Sequence, residues 1–160
     1  MDMISVTNGS ILFGAAICMG LGAIGSAIGI GYSGAKACEA MSRQPDEQAN
    51  IMRIMLIGQA QASSPSIFSL IVALVMLYMR PSEMNLATIG AYLGAAIAMG
   101  LGALGTGIGI GVVNGYAVES CGRNPRMQGI LLRTMLMGAS VAESTSIYAL
   151  VVALCLIFLS

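Results

Sequence analysis

One carboxylate stands where a carboxylate is hard to keep. Glu143 is the only charged side chain between Thr134 and Ser160, and it lies ten residues past Arg133. That is ~15 Å along a helix at 1.5 Å per residue, close to the middle of a hydrocarbon layer ~30 Å thick. An ionised carboxylate persists at that depth only if it takes up a proton, binds a cation or pairs with an opposite charge. No Lys, Arg or His of this chain shares its depth, which leaves a proton, a bound metal ion or a cation on another chain. Around it the string Val141-Ala142-Glu143-Ser144-Thr145-Ser146-Ile147-Tyr148 offers hydroxyls from Ser144 and Thr145, the phenol of Tyr148 and the backbone carbonyl of Val141. Hard cations such as Na+ take oxygen ligands of this kind. The plainer alternative is a structural Glu hydrogen-bonded within a helix bundle; an ion-carrying group is the expectation.

Other chemistry is sparse. Gly20-x-Gly22-x-x-Gly25 and Gly100-x-Gly102-x-x-Gly105 spell the dinucleotide fingerprint, but both sit inside uninterrupted apolar spans with no strand or turn before them, so the match is empty. The glycines that continue these runs, Gly25, Gly29 and Gly31 with Gly105, Gly109 and Gly111, have the small-residue spacing that brings membrane helices close together. They form a nearly side-chain-free stripe suited to a crowded inner wall. Cys18, Cys38, Cys121 and Cys155 show no metal-ligand spacing and are expected to be small buried hydrophobes. Neither a nucleophile with a base nor a nucleotide site is present, so no catalytic activity and no cofactor are expected of the chain alone.

The elements that position Glu143 follow from the charge distribution. Of 160 residues 57% are apolar and 9% charged, with mean hydropathy +0.87, far from the balance of a soluble domain. Seven basic and seven acidic side chains cancel, with no basic face for nucleic acid. Charge is absent between Asp2 and Lys36, from Ile54 to Met79 and from Met84 to Val118, and from Thr134 onward except at Glu143. Each span exceeds the ~20 residues that cross a bilayer as a helix, and none alternates as a barrel strand would. The predicted fold is an all-α membrane protein of four helices in two tandem hairpins, residues 1–80 and 81–160. Six of the seven Lys and Arg fall in or beside the connections between helices 1 and 2 and between helices 3 and 4. By the positive-inside rule those connections are cytoplasmic, with both termini and the link Arg80-Pro81-Ser82-Glu83 outside. Met1-Asp2-Met3 provides no basic n-region, so a cleaved signal peptide is not expected.

The chain also repeats itself. Shifted by 80 residues without a gap, Met19-Gly-Leu-Gly-Ala23 falls on Met99-Gly-Leu-Gly-Ala103 and Ile28-Gly-Ile-Gly31 on Ile108-Gly-Ile-Gly111. Glu39/Glu119, Arg43/Arg123, Pro45/Pro125 and Arg53/Arg133 pair at the same offset. Because each copy holds two helices, both enter the membrane in the same sense, an arrangement suited to a ring built by rotation.

On these residues the chain resembles the proteolipid c subunits of rotary ATPases. The resemblance covers nearly the whole sequence: the Gly-rich first helix of each hairpin, the polar loops Ser42-Arg43-Gln44-Pro45 and Gly122-Arg123-Asn124-Pro125, and the membrane carboxylate. The loops and the Ala-Glu-Ser-Thr-x-Ile-Tyr string are most similar to the F-type branch, its sodium-translocating members above all. The doubled length with one carboxylate is similar to the vacuolar and archaeal branch. The resemblance implies a homo-oligomeric ring in a bacterial plasma membrane. It also implies that Glu143 exchanges H+ or Na+ with a stator a-type subunit bearing an Arg, and that loop residues Arg43, Gln44, Pro45, Arg123, Asn124 and Pro125 meet the central stalk. Ring rotation would then couple ion flow to ATP synthesis or hydrolysis.

Three departures qualify the resemblance. At the position of Glu143 the first hairpin has Ser63, so that copy has no carboxylate to load. Pro65 removes a helix hydrogen bond nearby and is expected to kink helix 2 or free a carbonyl near Gln61. Sodium-binding members of the family carry a Gln fifteen residues before the loop Pro, where this chain has Ile30 and Ile110. In such rings the Ser and Tyr ligands come from the adjacent hairpin, which would set Glu143 against Ser64 and Phe68, with Gln59 or Gln61 as replacement ligands. The missing ligands favour H+, while the surviving Glu-Ser-Thr string keeps Na+ open. Two readings compete with a rotor subunit: a small proton-coupled multidrug exporter, opposed by the scarcity of aromatics and the parallel repeat, and a purely structural pore former.

Overall fold

The computed structural model describes residues 3–79, 81 and 85–159, with side chains from residue 5 onward. Met1, Asp2, Arg80, Ser82 and Glu83, to which the terminal and external-link expectations refer, lie outside the described residues. Four long helices carry the chain: α1 (Met3–Arg43), α2 (Gln48–Tyr78), α3 (Leu86–Arg123) and α4 (Gln128–Leu159). All four are long and apolar enough to cross a membrane, as the charge-free spans require.

The two polar loops fold alike. Gln44 (φ −136°, ψ 79°) and Asn124 (φ −136°, ψ 78°) leave the helical region. Pro45 and Pro125 then open short 3-10 turns, where a missing N–H costs nothing and the fixed φ starts the next helix. At the other end Asn85 caps α3, its Oδ1 accepting from the Thr88 backbone N–H at 3.0 Å. The Tyr92 hydroxyl donates to the Met79 carbonyl at 3.0 Å, fastening α3 to the end of α2.

α1 and α3 make the most extensive contact, while α2 and α4 touch each other less than either touches α3. The inner pair can approach because glycine leaves room for backbone: a Cβ on Gly25 would overlap the backbone of Leu104, and one on Gly29 or Gly111 would strike the opposing helix. Gly31, Gly105 and Gly109 have nothing within 4 Å of a would-be Cβ, so only half of the expected glycine set packs within the chain. The pseudo-repeat persists between helices: Gly22 abuts Ser69, and Gly102 abuts Ala149 eighty residues on. Apolar clusters lie at the Tyr92 end, near mid-helix around Ala62, Ile110 and Ala139, and at the loop end around Ile51, Ile54 and Val118.

Cys18 and Cys121 are buried as expected, whereas Cys38 and Cys155 are exposed.

Candidate ion-carrying site

Glu143 stands halfway along the 32-residue α4 and is half-buried. Residues seven apart on a helix share a face to within ~20°, so Glu143 is in line with Leu136 and Leu150. Both pack on apolar clusters that α2 helps to build. The opposite flank of α4, at Thr134, lines an open groove with Val112 and Tyr116. The carboxylate is thereby turned to the α2 side of α4.

α2 presents a matching flank. Its Gln59 reaches α1, Nε2 donating to the Ile30 carbonyl at 3.2 Å, and its Gly58 abuts Asn114 of α3. Farther round the helix in the same direction come Gln61, Ser64 and Phe68. Gln61 Oε1 is buried with no hydrogen-bond partner, and the Ser64 hydroxyl makes no hydrogen bond among the described residues. α2 runs unbroken through Pro65. Since Pro has no N–H, the Gln61 carbonyl still loses its ladder partner. Three oxygens without donors thus belong to the part of α2 level with Glu143.

The neighbours of Glu143 along its own helix spread away from it, because each residue turns the helix by ~100°. Val141 and Tyr148 are exposed, and the Ser144 hydroxyl donates to the Ser140 carbonyl at 3.2 Å. Thr145 Oγ1 lies 2.9 Å from Thr106 Oγ1 and ties α4 to α3. Among the described residues no donor or cation reaches the Glu143 carboxylate, while its backbone carbonyl accepts from Ser146 Oγ at 2.8 Å. Ser63, halfway along α2, donates to the Ala60 carbonyl at 2.7 Å and brings no charge.

At the loop end Arg43 pairs with Glu39 and Arg123 with Glu119. Lys36 Nζ lies 2.9 Å from Glu119, an ion pair that joins the two hairpins. Sequence reasoning missed this bridge, and it missed Asn114, which is buried and donates to the Met55 carbonyl at 3.3 Å while its Oδ1 has no partner. A signal for Asn114 existed: it is a polar residue in a charge-free span, at the repeat position of Gly34.

A family model for the C subunit of ATP synthase matches residues 13–76 and again residues 93–156. The chain belongs to the ATP synthase c-subunit family. The double match follows the internal repeat. A curated relative, the ATP synthase c subunit of Natranaerobius thermophilus, is 54% identical over 66 residues, 41% of this chain and 76% of its own length. The protein of the same name from Petrotoga mobilis is 47% identical over 70 residues, covering 44% and 73%. The Clostridium acetobutylicum one is 51% identical over 67 residues, covering 42% and 82%. With its membrane-length helices, this family member is an integral membrane, non-catalytic subunit. The exporter reading finds no support in these relationships.

Proposed function

We propose that this chain is a rotor-ring subunit of an ATP synthase-type complex, with Glu143 as the group that takes up and releases the transported ion. The observation that carries the reading is a half-buried carboxylate at the midpoint of a membrane-length helix, without a partner among the described residues and on the flank of α4 turned to α2, whose Gln61 Oε1 is buried and unpartnered. A group so placed must be neutralised by its cargo or by a cation that another subunit presents, and alternation between the two moves an ion. The stator a-type subunit supplies that cation as an Arg. The two polar loops, Arg43-Gln44-Pro45 and Arg123-Asn124-Pro125, face the cytoplasm and meet the central stalk, with both termini outside.

The cargo is H+ or Na+. Ile110 withholds a side-chain oxygen on the α3 side and Phe68 withholds a hydroxyl on the α2 side, which favours H+. Gln61, Ser64 and the Gln61 carbonyl are the oxygens a sodium ion would use. Hairpins 1–80 and 81–160 take equivalent places in the ring, and since the first has Ser63, ion sites occur once per four helices. Each charge crossing the membrane is worth ~2.3 kcal/mol per 100 mV. Fewer ions per turn therefore favour building a steep gradient by hydrolysis over making ATP from a shallow one.

The reading is tested with Glu143→Gln in the complete complex reconstituted into vesicles. ATP-driven ion uptake is expected to vanish while the ring still assembles. Uptake at the unsubstituted rate would rule out Glu143 as the carrier.

A further inference from the structure

α3 gives α2 a side chain that α2 lacks. Gly58 is bare, and the carboxamide of Asn114, buried in the charge-free span of α3, fills the place a Cβ on Gly58 would take. Asn114 Nδ2 donates to the Met55 carbonyl at 3.3 Å, which fixes the amide in place. Its Oδ1 is buried and accepts from nothing among the described residues, a condition that folded proteins rarely leave unanswered. One turn further along α2, Gln61 is in the same condition, with Oε1 buried and without a partner. Positions three apart on a helix have Cβ atoms ~5–6 Å apart, and helix side chains lean toward the N-terminal turn. The Gln61 side chain therefore leans over Gly58, where the Asn114 amide stands. Two carboxamides meet there with both oxygens short of a donor, while the Gln61 NH2 makes no hydrogen bond among the described residues. A half-turn of the Gln61 amide about its last side-chain bond exchanges Oε1 and Nε2. Nε2 then donates to Asn114 Oδ1, and Oε1 comes to the open side of α2, the flank to which Glu143 is turned. The counterparts of the two amides, Gly34 and Val141, carry none, so the arrangement occurs once per chain, as the carboxylate does.

We propose that Asn114 is a positioning residue for ion uptake, holding Gln61 by Nε2 so that Gln61 Oε1 faces Glu143 as an acceptor. The inference rests on the ion-carrier reading of Glu143 and adds to it a residue that touches neither the ion nor the carboxylate. The direction of the Gln61 amide matters because its two ends favour opposite states of Glu143. An amide oxygen accepts the O–H of the loaded carboxyl, and it ligates Na+ where Na+ is the cargo. An amide NH2 donates to the empty carboxylate and so opposes loading. Asn114 ties up the NH2 and leaves the oxygen, which tilts the site toward its loaded state. No charged side chain lies between Glu143 and the loop-end Lys36, Arg53 and Arg133 to compete with this effect. The phenols of Tyr32 and Tyr116 stand against each other, ring centroids 6.5 Å apart, and Tyr148 is exposed.

The test uses the full chain in membranes without Na+ and follows carbodiimide labelling of Glu143, mapped by mass, as the pH is raised, since only the protonated carboxyl reacts. Asn114→Leu is expected to lower the pH of half-labelling by about one unit, a tenfold loss of proton affinity and the scale of a single hydrogen bond. Asn114→Ala combined with Gly58→Ala refills the space at Gly58 while still removing the acceptor, and is expected to give the same fall even where Asn114→Leu does not fold. In a Gln61→Leu background neither change is expected to move the midpoint further. Tyr92→Phe, which frees the far end of α3 from the Met79 carbonyl, is expected to leave it in place. A midpoint unmoved in the Asn114 variants, a shift that persists in the Gln61→Leu background, or an equal shift in Tyr92→Phe overturns the positioning role and leaves the ion-carrier reading standing. No labelling of Glu143 at any pH in the unsubstituted chain overturns both.

Discussion

Thr106 and Thr145 meet hydroxyl to hydroxyl at 2.9 Å, joining α3 to α4 next to Glu143, and the same two positions of the first hairpin are Ser26 and Pro65. The substitution explains why Ser26 Oγ is buried without a partner. The proline that removes the second hydroxyl also opens the α2 ladder at Gln61, so the first hairpin is tied at this level by Gln59 and Ile30 instead of a hydroxyl pair.

Restoring the pair is expected to stabilise the first hairpin. Pro65→Thr supplies Ser26 with a partner and returns the ladder bond, for a gain of about 1–3 kcal/mol. Thr145→Val is expected to cost ~0.6 kcal/mol, the mean for side-chain hydrogen bonds between membrane helices. Unfolding in mixed detergent, followed by circular dichroism, reads both changes, and a destabilised Pro65→Thr would rule out this explanation.

Gly58 has no side chain because Asn114 occupies its space, and a Cβ there would overlap the carboxamide. Gly58→Ala is expected to destabilise the chain by about 1–3 kcal/mol, the usual range for overpacking. Combined with Asn114→Ala the loss should be smaller than the sum of the two single losses, since the overlap disappears. Strict additivity in a double-mutant cycle would contradict a direct contact.

Close approach of α1 and α3 depends on bare backbone at Gly29, while Gly9 has nothing within 4 Å. Gly29→Val is expected to abolish correct packing and ring assembly, and Gly9→Val to leave both intact. Size-exclusion profiles of the two purified variants distinguish these outcomes.

Four helices, two hairpins and a carboxylate halfway along the last helix were legible in the sequence because each rests on a local property: where charge is absent, where the chain repeats, and how far Glu143 lies from Arg133. What was illegible depends on the phase of one helix against another. Gly25, Gly29 and Gly31 look interchangeable in sequence, yet the first two touch α3 and the third faces open space. The contact of Thr145 with Thr106, and the flank of α2 that carries Gln61, which Gln59 sets by reaching Ile30, both depend on that phase. The Lys36–Glu119 bridge spans two helices that are distant in sequence, and no local pattern announces it.

Ion identity has its own readout. Carbodiimide reacts with a carboxyl that is protonated and unoccupied, so Na+ protects a site that binds it. For H+ transport, labelling at fixed pH is expected to be indifferent to Na+. Protection by Na+, lost in Gln61→Leu, would instead assign Na+ and make Gln61 one of its ligands.

Ion stoichiometry follows from Ser63. A ring of these chains alone is expected to carry one ion per chain per turn, half the number of its hairpins. Counting chains in the isolated ring by mass and measuring ions moved per ATP checks this. One ion per hairpin would refute it.

The role of Glu143 is tested most directly by mapping carbodiimide modification on the purified complex by mass while following ATP-driven ion uptake. Modification is expected at Glu143, with uptake falling as it accumulates and ceasing well before every chain is labelled, because one blocked site stalls a ring. Uptake that survives complete modification of Glu143 would contradict its role as the ion carrier.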